Sequence, residues 1–158
     1  MTSDPQPVRA VLDTNVVMAL WHFADPGLPR LRAWCRGDAA RLLSRADGLD
    51  ELRRVLAYAQ FGIAPARQAA LLADYTAATA VLPEPDAALQ AELDTLPRCR
   101  DRDDQKFLSA AWQGGAGLLL TRDKLVLRLA KRPPFRERLR ILTPEQFERE
   151  LQAGAAAP

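Results

Sequence analysis

The sequence predicts an α/β fold: a parallel sheet with helices packed on both faces. Three observations point there. Short apolar runs of strand length, such as Ala10-Val11-Leu12, fit strands buried on both faces. Segments with apolar residues at helical spacing lie between them. Strands and helices alternate from one end to the other, with no internal repeat.

In order, Met1–Pro7 is polar, carries two prolines and is expected to be a flexible leader, with a single domain over residues 8–151. Val8 to Leu12 is the first strand and ends at Asp13. Asn15 to Phe23 reads as a helix with Val16, Ala19, Leu20 and Phe23 on one side, broken by Asp25-Pro26-Gly27. Leu28 to Cys35 is a helix with Leu28, Leu31 and Cys35 in register. Arg41 to Ser44 is a short strand. Ser44 and Asp47 resemble a capping box opening a helix with the stripe Leu49, Leu52, Leu56 and Ala59. Pro65 opens a helix to about Ala80, with Ala69, Leu72 and Ala73 inward.

Val81-Leu82 is a short strand, and a short helix is expected between Pro83 and Pro97. A helix starting at Asp103 or Asp104 stops at Gly114-Gly115. Leu118 to Thr121 is a strand, Asp123 to Lys131 a helix and Leu139 to Leu142 the last strand. Thr143, Pro144 and Gln146 read as N-cap, N1 proline and capping-box glutamine of a helix to about Leu151. Residues 152–158 are expected to be a flexible tail.

The 158 residues are the length of one domain, and at 48% hydrophobic they can bury a core. The net charge of +2 hides a basic stretch: Arg122, Lys124, Arg128, Lys131, Arg132, Arg136, Arg138 and Arg140 face only Asp123 and Glu137. Such a stretch is either a solvated helix face or a surface for an anionic partner. Cys35 and Cys99 are far apart and in no metal-binding spacing, which fits a reducing cytoplasm. No basic region precedes an apolar run at the start, so no secretion signal is expected. No apolar run approaches the ~20 residues a membrane helix needs, so no membrane partner is expected either.

Ligands of such sheets sit beyond the carboxyl ends of the strands. Asp13 ends the first strand, and Asp123 follows the fourth. Asp104 heads a stripe with Phe107, Leu108 and Ala111, an expensive place for an unpartnered carboxylate. Glu51 borders the apolar stripe of its helix, whereas Asp50 has Arg53 and Arg54 as helical partners. Each Asp could merely cap a helix, and Glu51 could be an ordinary surface acid. Together they make a carboxylate cluster that needs a cation, and hard oxygen ligands favour Mg²⁺ or Mn²⁺ over zinc. His22 lies within a helix and reads as a core residue. No G-x-S-x-G and no Gly-rich phosphate loop occurs.

Val11-Leu12-Asp13-Thr14-Asn15-Val16 resembles the opening motif of the PIN-domain nucleases. Ser44 to Leu56 resembles their second motif, Arg100 to Leu108 their third, and Leu119-Leu120-Thr121-Arg122-Asp123 their fourth. Thr143-Pro144-Glu145-Gln146-Phe147 resembles a common ending of one branch, the toxins of toxin–antitoxin pairs. The resemblance spans Val8 to about Leu151. It implies a Rossmann-like three-layer α/β/α sandwich and a Mg²⁺- or Mn²⁺-dependent endoribonuclease. Asp13, Glu51, Asp104 and Asp123 would be catalytic metal ligands, Asp101 an accessory acid, and Asn15 and Thr121 supports. It also implies an RNA substrate and a small DNA-binding antitoxin as partner, with a homodimer as a further candidate assembly. Arg122, Lys124 and Arg128 are expected to meet RNA. One departure is visible: Leu125 stands where many members place a second acid.

Two other readings remain. A haloacid-dehalogenase-type phosphatase also begins with a strand ending in Asp, but its second Asp is here Asn15, which cannot act as a general acid. A non-catalytic module could use the acids only to bind metal or an antitoxin.

Overall fold

In the computed structural model the described residues are 4–156. Five strands form one parallel sheet: β1 (Val8–Leu12), β2 (Ala40–Ser44), β3 (Thr79–Val81), β4 (Leu118–Leu120) and β5 (Arg140–Leu142), in the order β3-β2-β1-β4-β5. The helices are α1 (Thr14–Val17), α2 (Pro29–Arg36), α3 (Ala46–Leu56), α4 (Pro65–Ala77), α5 (Ala87–Asp94), α6 (Gln105–Gln113), α7 (Lys124–Leu127), α8 (Phe135–Arg138) and α9 (Pro144–Ala156).

The sheet is covered on both sides because its central strands are apolar at successive positions. Ala10, Leu12, Leu42, Leu118 and Leu120 join the core formed with α1 to α4 and α9. The alternate residues Val11, Leu43, Leu119 and Ile141 join the core formed with α5 to α8. Successive strand side chains point to opposite faces, so one continuous apolar run feeds two layers. The three-layer α/β/α sandwich is thus in place.

Several elements differ from expectation. The helix after Asp13 turns π-helical over Met18–His22, and Val16 to Trp21 are all buried. It is a helix enclosed on every side, not an amphipathic one, so Phe23 is left 56% exposed. Ser44 is not a cap; it ends β2, and its hydroxyl meets Thr79 Oγ1 at 2.8 Å. Asp47 instead takes the Gly48 N–H and the Arg45 guanidinium. In α4 the buried residues are Leu71 and Tyr75, while Ala69 and Ala73 face solvent. The larger side chains bury more apolar area, so they set the helix rotation.

Two helix boundaries, one stop and one start, behave as expected. The α6 helix ends at Gly114, where a Cβ would lie 2.5 Å from Leu43 Cδ1, and Gly115 adopts φ +62°. At α9, Thr143 Oγ1 accepts from Gln146 N (3.1 Å), and Gln146 Oε1 accepts from Thr143 N (2.9 Å). The α9 helix then continues to Ala156, so the expected flexible tail is helical over residues 152–156. Its alanines have the highest helix propensity. Residues 157–158 of that tail and 1–3 of the expected leader lie outside the described residues, and residues 4–7 carry no regular structure. Among the described residues, no helix is long and apolar enough to cross a membrane.

Candidate metal centre

The chain leaves β1 toward β2 and β3, then returns to place β4 on the other side of β1. The carboxyl ends of β1 and β4 therefore flank the point where strand order reverses, the usual crevice of such sheets. Asp13 follows β1 directly, and its N–H bonds to Leu120 O of β4 at 2.9 Å. Thr121 follows β4, is fully buried, and uses its hydroxyl in both directions. It donates to Asp13 Oδ2 at 2.6 Å and accepts from Asp123 N at 3.0 Å. One threonine thereby sets the spacing of two acids.

Asp104 reaches the same edge from the other side. A 3₁₀ turn, Arg102–Asp104, precedes α6, and Asp101 caps it by accepting from Asp103 N at 3.0 Å. Carboxylate oxygens of Asp101, Asp104 and Asp123 all lie within 4.8 Å of one another. Burial and the neighbouring Asp123 push the Asp104 carboxyl well above the ordinary carboxylate range, and the charges of Asp13, Asp123 and Asp101 push the same way. Asp123, hydrogen-bonded to that carboxyl, is held below its usual value. The two carboxyls are thus driven in opposite directions from the ordinary carboxylate range. Asp13 is 3% exposed, and burial, opposed by the Thr121 hydrogen bond, raises it to about 6, with Glu51 and Asp123 adding repulsion.

These features separate a site from a set of helix caps. Neither Asp13 nor Asp104 makes a side-chain cap bond, whereas Asp123 does cap α7 through Leu125 N at 2.8 Å. Three clustered carboxyls, with Asp13 buried within electrostatic reach of Asp104 and Asp123, amount to repulsion that a cation would relieve. The donors are all hard oxygens with no His or Cys among them, which fits a magnesium-like ion.

Glu51 stands apart from that trio. Its carboxylate takes a short hydrogen bond from the Thr14 hydroxyl and pairs with Lys106 Nζ at 3.1 Å. The spacing of residues along the chain points to neither partner. Lys106 lies two residues beyond Asp104, and residues that close in a helical run face different ways. Asp104 turns to Asp123 while Lys106 turns to α3. A half-buried acid beside an apolar stripe is the only local signal, and it does not name the cation that answers it.

Asn15 is exposed, and its Oδ1 accepts from Arg122 N at 3.3 Å, tying the turn after β1 to the turn after β4. Arg122 does not present a free cation. Its guanidinium holds Glu145 and Asp25 at 2.6 and 3.2 Å, joining α9 to the loop after the π-helical turn. Arg122 therefore ties three segments together as well as standing beside Asp123. Lys124 and Arg128 are exposed and form no ion pair among the described residues. His22 packs against Phe23 and Phe61 and is not near the acids in any metal-holding group among the described residues.

A family model described as the PIN domain matches residues 9–125. The chain belongs to the PIN-domain family. PIN domains are generally metal-dependent nucleases. The fold is also similar to the crystal structure of PAE2754 from Pyrobaculum aerophilum, with TM-score 0.55 and 19% identity over 92% of this chain and 90% of that one. No curated protein matches the chain.

Proposed function

We propose that this PIN domain is a Mg²⁺- or Mn²⁺-dependent endoribonuclease, and that it is the toxin of a toxin–antitoxin pair. The observation that carries the nuclease reading is the trio Asp101, Asp104 and Asp123 beside the buried Asp13. Asp13, Asp104 and Asp123 would hold the ion, with Asp101 as a fourth donor. A carboxylate-held ion of this kind binds substrate phosphate and lowers the pKa of a water ligand. The chain's own residues do the rest. Thr121 fixes Asp13 against Asp123, and Asn15 fixes the two turns that carry them. Asp104, held above the ordinary carboxylate range by burial and by Asp123, would give up its proton to an ion, so metal binding should be tighter at higher pH.

Glu51 favours a single tightly held ion. Its carboxylate already has a cation in Lys106, and Leu125 supplies no second acid. In this reading Glu51 supports the site through Thr14 and Lys106 and joins the metal only if Lys106 moves away.

RNA as substrate, a small DNA-binding antitoxin as partner and a homodimer rest on the resemblance of the four motifs and of Thr143 to Phe147. So does a cytoplasmic location. Lys124 and Arg128 are the unpaired cations of the basic stretch nearest Asp123 in sequence, and they take the RNA-guiding role from Arg122. The phosphatase alternative has no support at Asn15, whose amide is used in a backbone hydrogen bond.

Incubation with a mixed single-stranded RNA pool tests the function. Cleavage should require Mn²⁺ or Mg²⁺, stop with chelator, and fall at least about a hundredfold in Asp104→Asn, by loss of a charged metal ligand. Metal-dependent release of phosphate from a monoester without RNA cleavage would refute it.

A further inference from the structure

Immediately before the acid trio, the chain reads Arg98-Cys99-Arg100-Asp101-Arg102. The arginines alternate with residues committed elsewhere. Cys99 is 4% exposed and anchored in the core, and Asp101 belongs to the carboxylate group. Arg98, Arg100 and Arg102 line one open cleft of about 430 Å³, together with Cys99 and Gln105.

Surface arginines beside acids usually neutralise them. Here they do not. Among the described residues Arg98 makes only a 4.0 Å contact with Asp94 across an exposed helix end, and Arg100 and Arg102 form no ion pair. By contrast, Arg122 holds two carboxylates. Three arginines around one cleft gather positive charge there, which an anion would offset.

The backbone beneath them is fixed. Gln105 Oε1 accepts from Cys99 N at 2.7 Å, and Gln105 Nε2 donates to Pro97 O at 3.3 Å. Asp101 holds the following turn through Asp103 N. The side chains therefore start from set positions, which lowers the entropy cost of binding.

We propose that Arg98, Arg100 and Arg102 form a phosphate-binding track for single-stranded RNA, seating the nucleotides that adjoin the cleaved bond. Guanidiniums match phosphate oxygens in bidentate fashion, and they offset the repulsion between an acidic site and a polyanion. Asp101, between Arg100 and Arg102 in the chain, is one of the metal-holding acids, so the track adjoins that group along the chain. The proposal rests on the nuclease reading for its substrate, not for its geometry.

The test is binding of a labelled single-stranded RNA of about a dozen nucleotides, a length that can span such a groove. Chelator is present so that the strand stays whole. Parent, Arg100→Ala/Arg102→Ala and the remote control Arg67→Ala are compared at two salt concentrations, with melting temperatures confirming folded protein. The double variant should bind about tenfold more weakly or worse. Its salt slope should be shallower by roughly 0.7 for each phosphate it no longer neutralises. Arg67→Ala should match the parent. If the double variant keeps the parent's affinity and slope, the track is refuted while the nuclease reading stands. If binding depends on these arginines but no RNA is cut with Mn²⁺, the track stands and the nuclease reading falls. A parent that does not bind the strand overturns the track, while the nuclease reading is decided by the cleavage assay.

Discussion

Asp13 concentrates the conflict that the site is built on. Its carboxyl is buried, faces Glu51 and Asp123, and titrates at about 6 instead of 3.8. The folded chain therefore binds more protons than the unfolded chain between those values, and stability falls as pH rises through that window. Asp104, also raised, extends the loss upward. Asp25 and Glu150 are lowered and act below it. The metal-free melting temperature should thus drop from pH 5 to 8. Asp13→Asn should flatten that drop, stabilise the protein at neutral pH by about 1–3 kcal/mol, and remove cleavage. Calorimetry across the pH series reads all of this except cleavage; a variant that melts below the parent at pH 8 would contradict it. The amide oxygen can still accept from Thr121, so that hydrogen bond is kept.

Elements are held by polar groups whose partners are remote in sequence. Glu148 of α9 is 4% exposed and accepts from Arg30 N (3.1 Å) and Leu31 N (2.6 Å). Those are the N2 and N3 donors of α2, which opens with Pro29 and has no side-chain cap of its own. A carboxylate there also meets the positive end of the helix. Glu148→Ala should cost about 2–3 kcal/mol by leaving two N–H groups unpaired, and Glu148→Gln clearly less. Urea unfolding of the two variants decides it: equal losses would mean that packing, not capping, is what Glu148 supplies. The sequence offers no hint of this contact, because capping boxes are read over three or four residues and this one spans 118. The local box at Thr143 and Gln146 is legible for the same reason in reverse.

At the scale of the whole molecule, one tie closes the structure around the site and a second is proposed. Arg122 links the turn after β4 to Asp25 and Glu145. Its side chain is 37% exposed, so Arg122→Ala should cost only about 0.5–1.5 kcal/mol, more than an isolated surface pair because three segments meet there. Its RNA affinity and salt slope should stay those of the parent; a shallower slope would return Arg122 to the RNA-binding surface. The second would be the ion of the proposed site. Mn²⁺ should raise the melting temperature, more at pH 8 than at pH 5, by binding only the folded state. Replacing Asp13, Asp104 and Asp123 together should abolish that shift, and a shift that survives would place the ion elsewhere.

The sequence by itself determined the order of strands and helices, the parallel two-sided sheet and which acids stand at its carboxyl edge. Continuous apolar runs, glycine stops and the β1-Asp13 boundary are local signals, and local sterics and burial act within a few residues. The tertiary structure alone decided which acids are driven in opposite directions from the ordinary carboxylate range, that Lys106 occupies Glu51, that Arg122 is bound and that Arg100 and Arg102 hold no carboxylate among the described residues. It also decided that Val16 to Trp21 are enclosed on every side and that Glu148 caps α2. These are facts about distance between remote segments. Electrostatic energy depends on that distance and on burial, and neither is written in the spacing of residues along the chain.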